Sequence, residues 1–194
     1  VGGVEKLLSD IISRLDRQKI TPAIITIFGS GPLLTKFQEL NVPIYFAAGQ
    51  LPFATKNSLY KILWAVISPI IFLRLVGKLR QWHPDVVVTS LYQSDILGLL
   101  AGWIAGVSKR VLIHHDVYPI SPYKRLLKQK FGIDLATTVV AVSQAVKEFV
   151  VTYFKAQPNR IAVIHNGIDI DRFRGVLCPL DGSVGMLGRL EPVK

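Results

Sequence analysis

The sequence is poor in cysteine and in acidic residues, and both shortages narrow what the protein can be. Cys178 is the only cysteine among 194 residues, which excludes an internal disulfide framework and favours a reducing compartment. The 13 acidic residues are outnumbered by 23 Lys and Arg, so the formal net charge is +10. A balance this basic is typical of proteins that meet nucleic acid, an anionic membrane or a phosphorylated substrate.

Motifs of several common enzyme classes are also lacking. The sequence has no Gly-x-x-x-x-Gly-Lys-Ser/Thr loop and no Gly-x-Ser-x-Gly elbow, which argues against a P-loop kinase or ATPase and against a serine hydrolase. It has no His-Glu-x-x-His motif and no paired Cys and His spacing, so we predict no metal site. The basic residues of 56–80 and 109–130 do not form continuous basic runs, and we therefore predict no nucleic-acid partner.

A transmembrane helix and a secretory signal are not predicted either. Within the longest helical pattern, 57–82, the uncharged stretch 62–73 has 12 residues, whereas a membrane span needs about 20. Two interpretations of this helix stay open. It packs on a sheet, with a kink at Pro69, or it dips into a membrane surface with Trp64 and Phe72 as anchors. We expect a cytoplasmic protein, in the second case at the cytoplasmic face of a membrane.

Apolar strands alternate with helical patterns along the chain. Helices are predicted over 4–15, 33–40, 57–82, 94–105, 123–131 and 144–154. Strands are predicted over 23–28, 43–47, 86–89, 110–114, 137–142 and 161–164. Most of the strands are apolar throughout, which is typical of a parallel sheet covered on both faces, and 86–89 is expected to be buried. The fold predicted is therefore a Rossmann-like, doubly wound α/β domain.

The domain organisation predicted is one domain and the start of another. Residues 1–175 form the amino-terminal domain, 176–183 a polar linker, and 184–194 the first strand and loop of a second domain. A helix that opens directly behind Gly2-Gly3 usually follows a strand, so a strand is expected before Val1. We expect the sequence to be a fragment of a longer protein.

Ligands of such sheets bind beyond the carboxyl ends of the strands, and the loops there supply the candidate site residues. Gly2 and Gly3 precede a helix and offer backbone amides to an anion, with a simple tight turn as the alternative. His115 can donate a hydrogen bond to a sugar hydroxyl or be a structural histidine. Arg189 and Lys194 suit a diphosphate. The other candidates at this edge are Ser90, Tyr92, Asp116, Ser143 and Asn166.

Three further residues are given structural roles. Ser143 directly precedes a helical pattern and is expected to cap that helix. His114 alternates to the inner face of its strand and is expected in the core. His83 lies in a polar turn before a proline and is expected on the surface.

Taken together, these residues resemble the retaining glycosyltransferases of family 4, which have the GT-B fold. The landmarks stand in the order of the family: Gly2-Gly3-Val4-Glu5, Pro84-Asp85-Val86-Val87, the strand ending in His115-Asp116, Ala141-Val142-Ser143, Asn166-Gly167-Ile168-Asp169 with Phe173, and Gly188-Arg189-Leu190 through Lys194. In that family two Rossmann-like domains face each other across a cleft. The amino-terminal domain holds the acceptor and the carboxyl-terminal domain holds most of the nucleotide-sugar.

The resemblance implies transfer of a hexose, with retention, from a nucleotide-sugar donor to a glycan or lipid-linked acceptor, without a metal or other cofactor. Gly2 and Gly3 would lie near the donor diphosphate, and His115 would contact the transferred sugar. Arg189 and Lys194 would neutralise the leaving diphosphate. The remaining cleft or acceptor residues would be Ser90, Tyr92, Asp116, Ser143 and Asn166.

Two alternatives stay open beside this interpretation. One is a sugar-nucleotide epimerase of the GT-B fold, and the other is a non-catalytic Rossmann module that binds a nucleotide or a membrane. The family's pair of glutamates that grips the donor would lie beyond Lys194. The 194-residue chain is therefore not expected to catalyse transfer alone.

Overall fold

A computed structural model describes residues 3–27, 34–49 and 58–173, of which 58–67 and 172–173 are described by their backbone alone. Its helices are α1 (Gly3–Arg14), α2 (Leu34–Glu39), α3 (Ser58–Trp82), α4 (Tyr92–Ile104), α5 (Pro122–Lys128) and α6 (Gln144–Phe154). Its strands are β1 (Ile24–Thr26), β2 (Ile44–Phe46), β3 (Val86–Ser90), β4 (Lys109–His114), β5 (Thr138–Ala141) and β6 (Ile161–Val163). A π-helical turn, Gln129–Ile133, continues α5, and two 3-10 turns follow at Pro158–Arg160 and Ile170–Phe173.

All the strand pairs of the described residues are parallel. β1 pairs with β2, and β3, β4, β5 and β6 form a four-stranded sheet in that order. Helices connect the successive strands, as parallel pairing requires. The predicted Rossmann-like α/β fold is confirmed, and the carboxyl ends of β3 to β6 meet at one edge.

Two apolar clusters position that edge. The first packs α6 and the π-helical turn on the four-stranded sheet, and its buried members include Leu99, Leu112, Ile133, Val139, Val150 and Phe154. The second packs α3 and α4 together, and its members include Ile71, Leu75, Leu79 and Ala101. Ile25 of β1 and Val87 of β3 both pack against this second cluster, so it joins the two sheets into one body.

The long helix α3 packs on the protein core along one face of its described part, while Ile70 and Leu73 are exposed. Ile71 and Leu75 are buried, and Phe72, proposed above as a membrane anchor, packs against the same cluster. The helix continues through Pro69. The interpretation as a packed helix is therefore confirmed from residue 68 onward, while the side chain of Trp64 lies outside the described ones. In the described part of the chain, no helix is long and apolar enough to cross a bilayer.

One expectation about local structure is wrong, and another is correct only in part. β3 is not a buried strand, because it lies at the edge of its sheet among the described residues and leaves Val86 and Val88 41% and 55% exposed. The predicted helix 123–131 ends at Lys128 and widens into the π-helical turn. Within this turn Gly132 packs against β4 and α4, and a Cβ on it would be in ordinary van der Waals contact, at 3.5–3.7 Å, with Leu112, Lys128 and Asp95.

Several predictions fall outside the described residues. These are Gly2, the linker 176–183 with Cys178, and the strand and loop 184–194 with Arg189 and Lys194. The division into domains therefore stays a prediction, as does the strand expected before Val1.

Candidate functional site

Predicted site residues on β3 and β4 lie side by side at the carboxyl edge of the four-stranded sheet. Ser90, the last residue of β3, stands opposite Ile113 of β4, two positions before His115. Neighbouring strands lie about 4.8 Å apart, so His115 lies two residues further along the strand next to Ser90, at the same edge. The Ser90 hydroxyl and the His115 Nε2 are buried, and neither has a hydrogen-bond partner among the described residues. Each is a buried polar atom that calls for a partner, which a water or a ligand would supply.

The next two strands bring Ser143 and Asn166 to the same edge. The Ile164 amide donates to the Ala141 carbonyl at 3.0 Å, so the pairing of β5 with β6 continues past β6. The Ser143 hydroxyl accepts a hydrogen bond from the Val146 amide at 3.2 Å. This confirms that Ser143 caps α6 and shows that its hydroxyl is already engaged. The side chain of Asn166 is exposed, so a ligand can reach it more readily than the Ser143 hydroxyl.

The first histidine of the tandem pair belongs to the core, as predicted. His114 is 5% exposed, stacks on Phe149 at 6.1 Å between ring centroids and meets the edge of Phe154 at 5.6 Å. Burial lowers the pKa of His114 to about 3, and the positive charge of Lys128 contributes to this shift. His114 is consequently a neutral, structural side chain at physiological pH.

The second histidine, His115, is half-buried and lies just beyond β4. Burial lowers its pKa, the Asp116 carboxylate opposes this, and Lys128 lowers it further. A neutral imidazole has one donor and one acceptor nitrogen, so His115 can contact a hydroxyl without adding a charge to the site.

The loop after His115 is held by a residue that the sequence pattern did not single out. The Tyr153 hydroxyl of α6 accepts from the Ile120 amide at 3.0 Å and donates to the Ile120 carbonyl at 2.5 Å. The Tyr153 ring stacks on Phe149 at 4.8 Å. The spacing of four residues between Phe149 and Tyr153 was a signal that the two share a helix face. Tyr153 therefore anchors the loop that carries Asp116.

Tyr92, another predicted cleft residue, ties α4 to α5. Its hydroxyl donates to the Lys124 carbonyl at 3.3 Å. Burial, with a contribution from Tyr123, raises the pKa of Tyr92. The hydroxyl is thus engaged in holding the two helices together beside the edge.

The Asn-Gly-Ile-Asp segment contacts the first helix. The Asp169 carboxylate lies 2.7 Å from the Arg14 guanidinium of α1, with the two side chains 22% and 54% exposed. At the other end of α1, Gly3 is exposed, and a Cβ there would meet nothing within 4 Å. In the parts of the chain that the structure describes, no group of three His, Cys, Asp or Glu side chains could hold a metal ion.

Sequence comparison identifies the family of this chain. The profile of Glycosyltransferase Family 4 matches residues 1–172, and the chain therefore belongs to that family. The match includes His115 and the Asn-Gly-Ile-Asp segment. No protein of curated function matches the chain by sequence.

Solved structures give the fold independently. The HepE protein of Anabaena in complex with UDP superposes with a TM-score of 0.65 at 22% identity, over 88% of this chain and 42% of that one. A glycosyltransferase from Rickettsia africae gives 0.63 at 23% identity, over 92% and 43%. The lipopolysaccharide outer core galactosyltransferase WaaB gives 0.58 at 15%, over 87% and 43%. The chain has the fold of one domain of a GT-B glycosyltransferase and spans less than half the length of these proteins.

Proposed function

We propose that this chain is the acceptor-binding domain of a retaining glycosyltransferase that transfers a hexose from a nucleotide-sugar to a glycan or lipid-linked acceptor. One observation carries the proposal. A half-buried His115, with its pKa lowered by burial, lies at the same edge as Ser90, whose hydroxyl has no hydrogen-bond partner in the described part of the chain, and ligands of such sheets bind at this edge. The chain's membership of a glycosyltransferase family supports the same reaction class.

The chemistry assigned to the site is displacement at the anomeric carbon. The bond from that carbon to the diphosphate oxygen breaks, and an acceptor hydroxyl attacks from the same face. Its proton passes to the departing diphosphate. His115 contacts a hydroxyl of the transferred sugar, where a neutral donor can stabilise charge without competing with the diphosphate. Gly3 at the amino terminus of α1 places backbone amides toward the phosphates, and Arg189 and Lys194 neutralise them.

A uridine diphosphate sugar is the first donor to test. HepE was solved with UDP, with UDP and glucose, and with UDP-glucose, and each of these structures resembles this chain. The name of WaaB supports a surface glycan or glycolipid precursor as the acceptor. A sugar-nucleotide epimerase and a non-catalytic binding module remain the competing functions.

The test is transfer by the protein made from the complete coding region, assayed with a panel of nucleotide-sugars and extracted glycolipids. We expect acceptor-dependent release of the nucleoside diphosphate and a product with the donor's anomeric configuration. His115→Ala should reduce kcat about 100-fold, as loss of one stabilising group does. The matched control is His83→Asn, which changes an exposed histidine of a turn.

Several results would contradict the proposal. An inverted product would remove the retaining mechanism, and epimerised donor without transfer would favour the epimerase. Donor binding without any turnover of either kind would favour the binding module. The 194-residue chain alone should show no transfer, and measurable transfer by it would refute the assignment of the donor site to a second domain.

A second part of the proposal concerns an anionic membrane surface as a partner. Around α5, the side chains of Tyr118, Tyr123 and Leu126 are 67%, 71% and 60% exposed. Lys124 and Arg125 stand exposed among them. Exposed aromatic and aliphatic side chains with interleaved cations are typical of elements that lie on an anionic leaflet, where each cation contributes about 1 kcal/mol. We name these five residues the α5 surface.

Vesicle sedimentation tests the α5 surface. Binding should require anionic lipid, weaken with salt and fall when Tyr123→Ser and Leu126→Ser are combined. Trp103→Ser is the matched control, because it removes another exposed aromatic side chain, on α4, outside this surface. Binding that ignores salt and lipid charge, or that falls equally in the control, would exclude the α5 surface as the docking element.

A further inference from the structure

A buried ion pair joins α4 to the end of α5. The Lys128 Nζ lies 2.9 Å from the Asp95 Oδ2, and the two side chains are 8% and 0% exposed. In the sequence, Lys128 is one of the basic residues of 109–130. Burial of a lysine and an aspartate is rare, and it occurs where the two charges compensate each other.

Such a pair requires an explanation other than stability. Desolvation of two charges offsets most of their attraction, so well-packed apolar residues would stabilise the fold as well or better. A buried pair can instead fix the relative position of the elements that carry it, because any other arrangement would leave a buried charge unpaired. Here those elements are the first turn of α4, which follows the candidate edge directly, and the junction of α5 with the π-helical turn.

The elements that carry the pair are packed against their neighbours on both sides. A Cβ on Gly132 would lie 3.6 Å from the Lys128 side chain and 3.7 Å from that of Asp95. On α4, one turn after Asp95, a Cβ on Gly98 would come within 2.9 Å of the Thr89 methyl group of β3. The Gly98 contact is too close for any side chain and lets α4 lie tightly against β3, whereas the contacts at Gly132 are of ordinary van der Waals length and show that the π-helical turn packs against both members of the pair.

The pair also reaches the carboxyl end of β4. The Lys128 Nζ lies 6.0 Å from the centre of the Phe154 ring, and Phe154 in turn meets His114 edge-on. His114 directly precedes His115. A continuous set of packed side chains therefore runs from the ion pair to the residue that fixes the backbone of His115.

We propose that Asp95 and Lys128 are positioning residues, whose buried ion pair holds α4, α5 and the end of β4 in the arrangement that presents His115 to the cleft. This inference deepens the proposed function, since it concerns the same edge of the sheet. It extends the site to two residues that lie behind it.

The electrostatics of the edge agree with this geometry. Two neighbouring charges act on the pKa of His115: Asp116 raises it and Lys128 lowers it. The adjacent His114 interacts with His115 as well, and this interaction lowers the pKa of His114. Lys128 also lowers the pKa of His114. A single buried cation thus favours the neutral form of both histidines, and its removal should be visible at both.

The experiment is an NMR pH titration of the histidine side chains in the 194-residue chain, with His114 and His115 assigned from single substitutions. The variants are Lys128→Met, Asp95→Asn and the two combined. Lys130→Met is the matched control, because it removes an exposed cation two residues away. The readout does not depend on transfer activity, so its failure and the failure of the proposed function are distinguishable.

We expect Lys128→Met alone to raise the unfolding equilibrium constant more than about 100-fold, since it leaves a buried carboxylate unpaired. The combined variant should recover much of this loss and stay folded. In the combined variant the resonances of His114 and His115 should move, and the pKa of His115 should rise. In the control, Lys130→Met, the resonances and the pKa of His115 should stay as in the wild type. A folded combined variant with the His115 titration and resonances of the wild type would refute the proposal, because the pair would then serve stability alone.

Discussion

Acid should destabilise this protein through His114. The side chain is buried between Phe149 and Phe154, and burial lowers its pKa to about 3 in the folded chain. In the unfolded chain the same imidazole has an ordinary pKa of about 6.5. Below pH 6.5 the imidazole binds a proton in the unfolded state, whereas in the folded state it stays neutral until about pH 3. Stability is therefore fully present above pH 6.5 and is lost progressively as the pH falls.

The size of the effect follows from the linkage relation. Each pH unit between the two pKa values costs about 1.4 kcal/mol of unfolding free energy. Between pH 7 and pH 5 the loss from His114 is therefore roughly 2 kcal/mol, and over the whole interval it approaches about 5 kcal/mol. Domains of this size are stable by about 5–15 kcal/mol, so the loss at pH 5 is a substantial part of the total.

Urea unfolding at pH 7 and pH 5 measures the loss of unfolding free energy, with His114→Phe as the comparison. Phenylalanine suits the aromatic surroundings and does not titrate, so the variant should lose about 2 kcal/mol less than the wild type over this interval. Burial raises the pKa of Asp95, whose effect has the opposite sign, because the folded state then binds the proton more tightly. Asp95 is present in both proteins and cancels in the difference. Equal losses in wild type and His114→Phe would refute the reasoning.

Two further predictions concern the loops at the candidate edge. Tyr153→Phe removes both hydrogen bonds to Ile120 and should cost about 1–3 kcal/mol in urea unfolding, with increased hydrogen exchange at the Ile120 amide. An unchanged exchange rate would show that the hydroxyl does not hold the loop. Leu91, just after β3, has φ 81° and ψ 152°, a conformation that favours glycine. Leu91→Gly should therefore stabilise the chain by about 1 kcal/mol, since the side chain is 46% exposed and loses few contacts, and a destabilised variant would disprove the strain.

Elements whose signals are local could be predicted from the sequence. α6 begins and ends where the pattern placed it, because Ser143 supplies a cap to the Val146 amide and Lys155 takes a left-handed conformation at the other end. The order of strands and helices followed from their apolar periodicity. Because parallel strands end at a common edge, the placement of Ser90 and His115 at one edge followed from the same order.

Features that depend on tertiary pairing could not be predicted in this way. The apolar run of β3 looks the same whether the strand is central or at an edge, and only the sheet order exposes Val86 and Val88. In the sequence, Lys128 is one of several basic residues in 109–130, and nothing distinguishes it from its exposed neighbours. Its partner Asp95 lies on another helix, and the sequence around either residue gives no signal that the two form an ion pair.

The two adjacent histidines, His114 and His115, have different roles, the first in the core and the second at the candidate site. The period of two residues sends successive side chains to opposite faces, so one histidine enters the core and the next reaches the edge. The buried histidine has no role at the cleft, yet its contacts with Phe149 and Phe154 fix the backbone from which His115 projects. A substitution at His114 should therefore disturb the site through position, and one at His115 through chemistry. Comparison of the two variants in the same assay distinguishes these contributions.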